Sequence, residues 1–380
     1  MRRIERFDPT PFPCKIAGEV RDYDPSEFMK KADVRRWYRH VHLAAGSARL
    51  ALDDSSYVPG TYDPERMATA FGTSVGSPDE HYLRHRTSYE TGGWTNLDKL
   101  TTSASSGHGA TAYISVTHGL RGPAVTLASG CSTGLDVVSW GVAQIRSGRA
   151  DMAVVGATEA PLTELTIAAS CALGILSKMN DAPEKAMRPF DRNSDGIVLS
   201  EGSAALVLER LGHARERGAT ILAEVGGYGS SAEANNLLTL EREGAALARA
   251  MSTAIQDAGT SPEDIDAAFC HGVSLPMYDR SETAAYKKAL AKQAYRIPLS
   301  ATKSMTGQPY SAGGLYSIGA ALLAIQEGIV APNINLQDPD PECDLDYVPK
   351  KARYNDVRTA IVTAMSFGGT HGALVLRKCN

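Results

Sequence analysis

Pro123-Ala124-Val125-Thr126-Leu127-Ala128-Ser129-Gly130-Cys131-Ser132-Thr133-Gly134 decides how the chain is read. Its first seven residues form a short apolar, β-like run that ends in glycine. Ser132 to Ser147 follows with Leu135, Val138, Val142 and Ile145 at helical spacing. Met152 to Gly156 is a second buried strand. This strand–helix–strand order predicts a parallel sheet with crossover helices. Cys131 stands at the junction, between strand end and first helical turn. Backbone N–H groups at a helix start favour an anion, so the expectation is a thiol pKa below the ordinary value of about 8.5. Gly130 and Gly134 allow a sharp turn and close approach by a substrate. The alternative is a small buried thiol that fills a helix–strand junction.

Upstream the pattern is less regular. Asp8-Pro9-Thr10-Pro11-Phe12-Pro13 is excluded from a helix interior by its prolines. Phe28 to Leu52 predicts one helix, and the polar stretch Ser77 to Leu100 a long surface excursion. Downstream, Ser177 to Gly196 is loop-rich, and Ile197 to Leu211 predicts a long strand region interrupted at Gly202. The alternation then restarts. Strands are predicted over 221–228, 267–270, 297–300, 359–365 and 373–377. Helices are predicted over 241–258, 279–291 and 313–327. The chain thus divides into two α/β halves, 1–214 and 215–380, sharing one core.

Composition sets the outer bounds. The chain has 380 residues, 43% hydrophobic and 22% charged, which is globular rather than disordered composition. A net charge of −4 argues against a broad basic surface for nucleic acid or anionic lipid. No segment approaches the roughly 18 consecutive apolar residues of a membrane span, and the basic N-terminus has no apolar run behind it. Six cysteines, at 14, 131, 171, 270, 343 and 379, include no C-x-x-C pair. That spacing excludes zinc ribbons and thioredoxin-type centres and reads as cytoplasmic thiols.

Three further segments carry candidate chemistry. His271 ends the apolar run Ala267 to Cys270, at the strand end where parallel sheets form sites; the other eight histidines read mostly as solvated. Ser300-Ala301-Thr302-Lys303-Ser304-Met305-Thr306-Gly307-Gln308 leads from a strand towards a Gly/Ala-rich helix. There Lys303 reads either as a surface lysine or as a residue in need of an acid. Ser366-Phe367-Gly368-Gly369-Thr370-His371-Gly372 is a flexible turn with one bulky ring, either a hairpin or a gate at a pocket mouth.

Taken in order, these segments resemble the β-ketoacyl–acyl-carrier-protein synthases, the type II elongating ketosynthases of the thiolase superfamily. Arg188-Pro189-Phe190-Asp191-Arg192-Asn193-Ser194-Asp195-Gly196 is similar to that family's R-P-F-D-x-x-x-D-G segment. Asn335 to Pro349 resembles its C-terminal signature. The resemblance runs from about Phe7 to the C-terminus. It implies a five-layered α-β-α-β-α sandwich of two pseudo-symmetric halves, in a homodimer or in a heterodimer with a related subunit. It implies an acyl carrier protein as partner and no cofactor of the enzyme's own, because the phosphopantetheine arm arrives on the carrier; no metal, nucleic acid or membrane is implied. Cys131 becomes the nucleophile, His271 the first catalytic histidine and Lys303 an electrostatic support. The backbone N–H groups of Cys131 and Phe367 form the oxyanion hole. Phe367, Gly368 and Gly369 form the gate.

Four departures from the family pattern stand out. The second catalytic histidine is Gln308. An amide still donates hydrogen bonds but exchanges no proton near neutral pH. Loss of proton transfer costs about 10²–10⁴-fold, whereas one retained oxyanion donor preserves about 10²–10³-fold. The loop that binds the substrate arm is Val273-Ser274-Leu275, with apolar side chains in place of both threonines. Ser317 stands where the family has a glutamate paired with the lysine, leaving Glu282 or Asp279 as partners for Lys303. The family's first strand and helix, before the segment resembling Phe7 to Val20, are not found in this sequence. The leading expectation is condensation of carrier-bound acyl and malonyl thioesters, in fatty-acid or polyketide synthesis, through acyl-Cys131 in a Cys–His–Gln site. Acyl transfer or thioester hydrolysis without decarboxylation, and a non-elongating partner subunit, are the alternatives.

Overall fold

In the computed structural model, which describes residues 1–379 with the side chain at position 81 excepted, the two halves repeat one strand order. The first half contributes β1 (Met67–Gly72), β2 (Ala124–Val125), β3 (Met152–Glu159) and β4 (Gly202–Glu209). They lie in the order β2-β1-β3-β4, with only β4 antiparallel. The second half contributes β5 (Glu224–Ala232), β6 (Ala267–Phe269), β7 (Leu299–Ser300), β8 (Thr359–Met365) and β9 (Thr370–Arg377). Their order is β5-β9-β8-β6-β7, with β9 antiparallel. Four strands correspond one to one, β2-β1-β3-β4 with β7-β6-β8-β9. Among the described residues, β5 has no counterpart beside β4, and a cleft of about 590 Å³ lies along that edge, lined by Leu206, Leu208, Val142 and Leu322.

The helices supply the other layers. α1 (Arg39–Asp54), α2 (Glu80–Gly92), α3 (Gly109–His118), α4 (Thr133–Arg146) and α5 (Glu164–Leu173) belong to the first half. α6 (Ala245–Asp257), α7 (Pro276–Leu290), α8 (Lys303–Thr306) and α9 (Gly313–Glu327) belong to the second. α1 and α3 pack on the outer face of the first sheet around Val41, Ala45, Phe71 and Ile114. α4 and α9 lie between the sheets, where Leu135, Val138, Leu315 and Ile318 meet Val155, Val362 and Leu374. α6 and α7 cover the second sheet through Met251, Ile255, Tyr286 and Leu290. Three apolar clusters therefore join five layers, the middle one packing α4 and α9 against both sheets. The central pair approaches closely because Gly134 has no side chain: a Cβ there would lie 2.6 Å from the Ser311 carbonyl.

The structure differs from several sequence expectations for identifiable reasons. The single helix over 28–52 is broken into a short helix (Lys31–Arg36) and α1, behind a 3-10 turn (Pro25–Glu27). The break falls where Trp37 and Tyr38 turn inward and bury their rings. The polar excursion contains α2, a largely exposed helix without an apolar stripe, so hydrophobic periodicity could not reveal it. The long strand region over 197–211 is β4 alone, preceded by isolated bridges, because Gly202 adopts φ +159 against the Tyr316 hydroxyl. A buried carboxylate ties the N-terminal segment down: Glu201, with a fully buried side chain, pairs with Arg39 (2.6 Å) and Arg6 (2.9 Å) and accepts from the Val20 N–H (3.0 Å).

Candidate active site

Cys131 sits in a 3-10 turn (Gly130–Ser132) that feeds directly into α4. Gly130 makes the turn possible, with φ +69 and space for no more than a hydrogen: a Cβ would fall 2.9 Å from that of Ser366. The turn is pinned from the other half of the molecule. The Ser366 hydroxyl accepts from the Ser132 N–H (2.9 Å) and donates to the Ser129 carbonyl (2.8 Å). The thiol is almost entirely buried. Burial pushes it up to about 12, Lys303 opposes that rise and Glu159 adds to it. The lowered pKa expected from the helix start is therefore corrected: desolvation outweighs the favourable field. The resting site holds a thiol.

His271 follows β6 at its C-terminal end, and α7 holds its loop by two buried carboxylates. Glu282 accepts from the N–H groups of His271 (2.7 Å) and Gly272 (2.9 Å). Asp279 accepts from those of Val273 (2.9 Å) and Phe190 (2.8 Å). Lys303 opens α8 and is 2% exposed, so the surface-lysine reading is overturned. Its Nζ lies 3.0 Å from His271 Nδ1 and donates to the His271 carbonyl. Neither Glu282 nor Asp279 is its contact partner. They act on Lys303 through their field, which offsets part of the desolvation that lowers it to about 8. The same burial raises Asp279 to about 7. His271 is pushed well below the ordinary range by burial, then by Lys303 and His371, so it is neutral. With an ammonium facing Nδ1, its proton belongs on Nε2.

Gln308 is brought to the thiol by a turn at Gly307 (φ +74), and its backbone bridges Val198 and Ser200. Its Nε2 donates to Cys131 Sγ at 3.3 Å, while its Oε1 is buried without a partner. Phe367 is half-buried on the turn between β8 and β9, so the hairpin and gate readings describe one object. Gly368 and Gly369 have φ +80 and +75. Glu233 clamps this turn: its N–H donates to the Gly369 carbonyl (2.9 Å), and its carboxylate meets His371 Nε2 at 2.8 Å. The arm loop turns inward. Val273 is buried, Ser274 (φ +60) spends its hydroxyl on the Arg188 N–H (2.5 Å), and Leu275 is half-buried at the start of α7.

Cys131 and Gln308 are thus in direct contact, as are His271 and Lys303, although Cys131–Gln308 spans the two halves. The solvated reading fails for His40, His42 and His371, which are buried. Sequence reasoning also missed three groups. Glu159 ends β3 fully buried and accepts from the N–H groups of Val75 (3.2 Å) and Gly76 (3.0 Å). A carboxylate closing an apolar strand was its available signal. Glu233 and Tyr278, whose ring packs against Phe367, had none.

Residues 2–214 match the family profile "Beta-ketoacyl synthase, N-terminal domain", and residues 222–337 match "Beta-ketoacyl synthase, C-terminal domain". The chain belongs to the β-ketoacyl synthase family. Among curated β-ketoacyl synthases it is 39% identical to the tetracenomycin polyketide synthase ketoacyl synthase alpha subunit of Streptomyces glaucescens, over 99% of this chain and 90% of that one. It is 36% identical to the 3-oxoacyl-[acyl-carrier-protein] synthase 2 of Coxiella burnetii, over 100% and 91%. Among solved structures, a type II polyketide ketosynthase in complex with its acyl-carrier protein superposes with a TM-score of 0.90 at 30% identity, covering 99% of this chain and 92% of that one. The ishigamide ketosynthase/chain length factor does so with 0.90 at 29% identity, covering 100% and 92%. The β-ketoacyl synthase fold is the thiolase-like sandwich, and the enzyme class is acyltransferase. No helix of the described residues is long and apolar enough to cross a membrane.

Proposed function

We propose that this β-ketoacyl synthase condenses carrier-bound acyl and malonyl thioesters to 3-oxoacyl thioesters through an acyl-Cys131 intermediate. The observation that carries the reading is the contact between Gln308 Nε2 and Cys131 Sγ, in a site where His271 is held as a neutral donor. In the first half-reaction Cys131 loses its proton and attacks the acyl carbonyl. The carbon–sulfur bond to the carrier breaks, and the carrier thiolate takes up a proton. The oxyanion that forms meets the N–H groups of Cys131 and Phe367.

In the second half-reaction the malonyl carboxylate leaves as CO₂, and its bonding electrons pass into an enolate. The enolate carbon attacks the acyl-Cys131 carbonyl, and the Cys131 sulfur departs as thiolate. The negative charge that entered on the carboxylate thus leaves on sulfur, so the enolate step needs hydrogen-bond donors and no proton transfer. A neutral His271 Nε2–H and the Gln308 amide meet that requirement, and this is why glutamine at 308 is compatible with condensation.

The reading carries further expectations. The enzyme needs no cofactor, because the phosphopantetheine arm comes with the carrier. Its partner is an acyl carrier protein. It works in the cytoplasm as a homodimer or beside a related subunit, as in the ketosynthase/chain length factor it resembles. The test incubates the purified protein with acyl-carrier and malonyl-carrier substrates and follows intact mass and CO₂. Acyl-Cys131 with CO₂ release and a 3-oxoacyl product supports condensation. Acylation without CO₂ release points to acyl transfer or hydrolysis. A wild-type protein that is never acylated overturns both readings and leaves the partner-subunit role.

A further inference from the structure

Tyr278 lies in the first turn of α7 (Pro276–Leu290), is 3% exposed, and its ring packs on two residues of the site. Its centroid is 6.2 Å from that of His271 and 5.5 Å from that of Phe367, the latter edge-on. Its hydroxyl is buried and has no hydrogen-bond partner. A phenylalanine would fill the same space without that penalty, because an unmade buried hydrogen bond is costly. The neighbouring Val273 and Leu275 present only apolar side chains. Burial, then the Cys131 and Glu233 charges, push the phenol above its ordinary range, so it is a donor and never a base here.

We propose that the Tyr278 hydroxyl donates, together with His271 Nε2–H, to the thioester oxygen of the malonyl unit as that oxygen gains enolate charge. The assignment rests on the condensation reading. It accounts for the buried hydroxyl without a partner. Gln308 Nε2 is divided between the Cys131 sulfur and the enolate, and Tyr278 adds a donor that is committed to neither at rest. No atom is transferred: the electron pair of the breaking C–CO₂ bond moves onto the thioester oxygen, and Tyr278 keeps its proton. The donor is idle at rest because its acceptor arrives with the substrate.

The test compares wild type with Tyr278→Phe, using enzyme preloaded with a hexanoyl thioester and malonyl-pantetheine as the probe, so that carrier docking does not enter. CO₂ release, Cys131 acylation and thermal unfolding are measured on both. The expected result is a fall of about 10²-fold in the ratio of decarboxylation to acylation, expressed in kcat with little change in KM for malonyl-pantetheine. The unfolding midpoint should be unchanged or higher, because the lost hydroxyl had no partner. A variant that releases CO₂ at the wild-type rate, or that loses acylation and decarboxylation in equal measure, overturns the assignment alone. A wild type that is acylated but releases no CO₂ overturns the condensation reading, and this assignment with it.

Discussion

Lys303 Nζ lies 3.0 Å from His271 Nδ1, across 32 residues of sequence, with both side chains buried. This contact fixes which imidazole nitrogen can donate. Replacing Lys303 with methionine frees Nδ1 to carry the proton. Condensation should fall by about 10²–10³-fold, the scale of one lost oxyanion donor. The same variant should unfold at a higher temperature near pH 7. Lys303 is lowered from 10.5 to about 8 by burial, so its folded-state charge destabilises the protein below pH 8. That cost fades as pH rises from 8 to 10.5, so calorimetry at pH 7 and pH 11 should show the gain only at the lower pH.

Cys131 should resist alkylation at neutral pH and react faster as pH rises. With the thiol near 12, its thiolate fraction grows about tenfold per pH unit below that value. Around pH 8 Lys303 loses its proton and stops favouring the thiolate, so the slope should flatten there. Iodoacetamide kinetics from pH 6 to 10 read this directly. A plateau above pH 7 would show a low-pKa thiolate and contradict it.

Gln308→His should leave malonyl decarboxylation within about 10-fold of wild type, because an imidazole Nε2–H replaces one amide donor with another and the step takes no proton. A larger gain in CO₂ release would mean that proton exchange at position 308 limits the step.

Gly130→Ala should damage acylation more than folding. Its φ of +69 disfavours alanine, and the added Cβ would press on Ser366 at 2.9 Å. The turn must shift, and a displacement of about 1 Å at the thiol costs about 10²-fold. Acylation rates measured beside urea unfolding separate the two effects.

Glu201→Ala should cost about 2–4 kcal/mol in urea unfolding, below the full penalty for a buried pair because Arg39 and Arg6 remain partly exposed. Its effect on acylation should be small beside that of Gly130→Ala.

The strand–helix alternation made the two halves legible, because buried strands and amphipathic helices leave periodic marks. α9 is found over the residues its pattern predicts, Gly313–Glu327. α2 left no such mark, since a largely exposed helix buries no stripe. The Ser366–Gly369 turn was legible as glycine-rich, but its clamp by Glu233 was not, because that contact spans residues with no shared pattern.

Local chemistry offered Cys131 and His271 as candidates, and the family resemblance of their segments made them nucleophile and donor and marked Gln308 as an amide where the family has an imidazole. A residue type and its position on a strand end or helix start are properties of the adjacent chain. Only the tertiary structure decided that the thiol rests protonated, that Lys303 is buried against the His271 ring, that the buried acids act at a distance, and that Tyr278 closes on Phe367. Desolvation and through-space fields sum over groups far apart in sequence, so they exist only once the two halves have folded together.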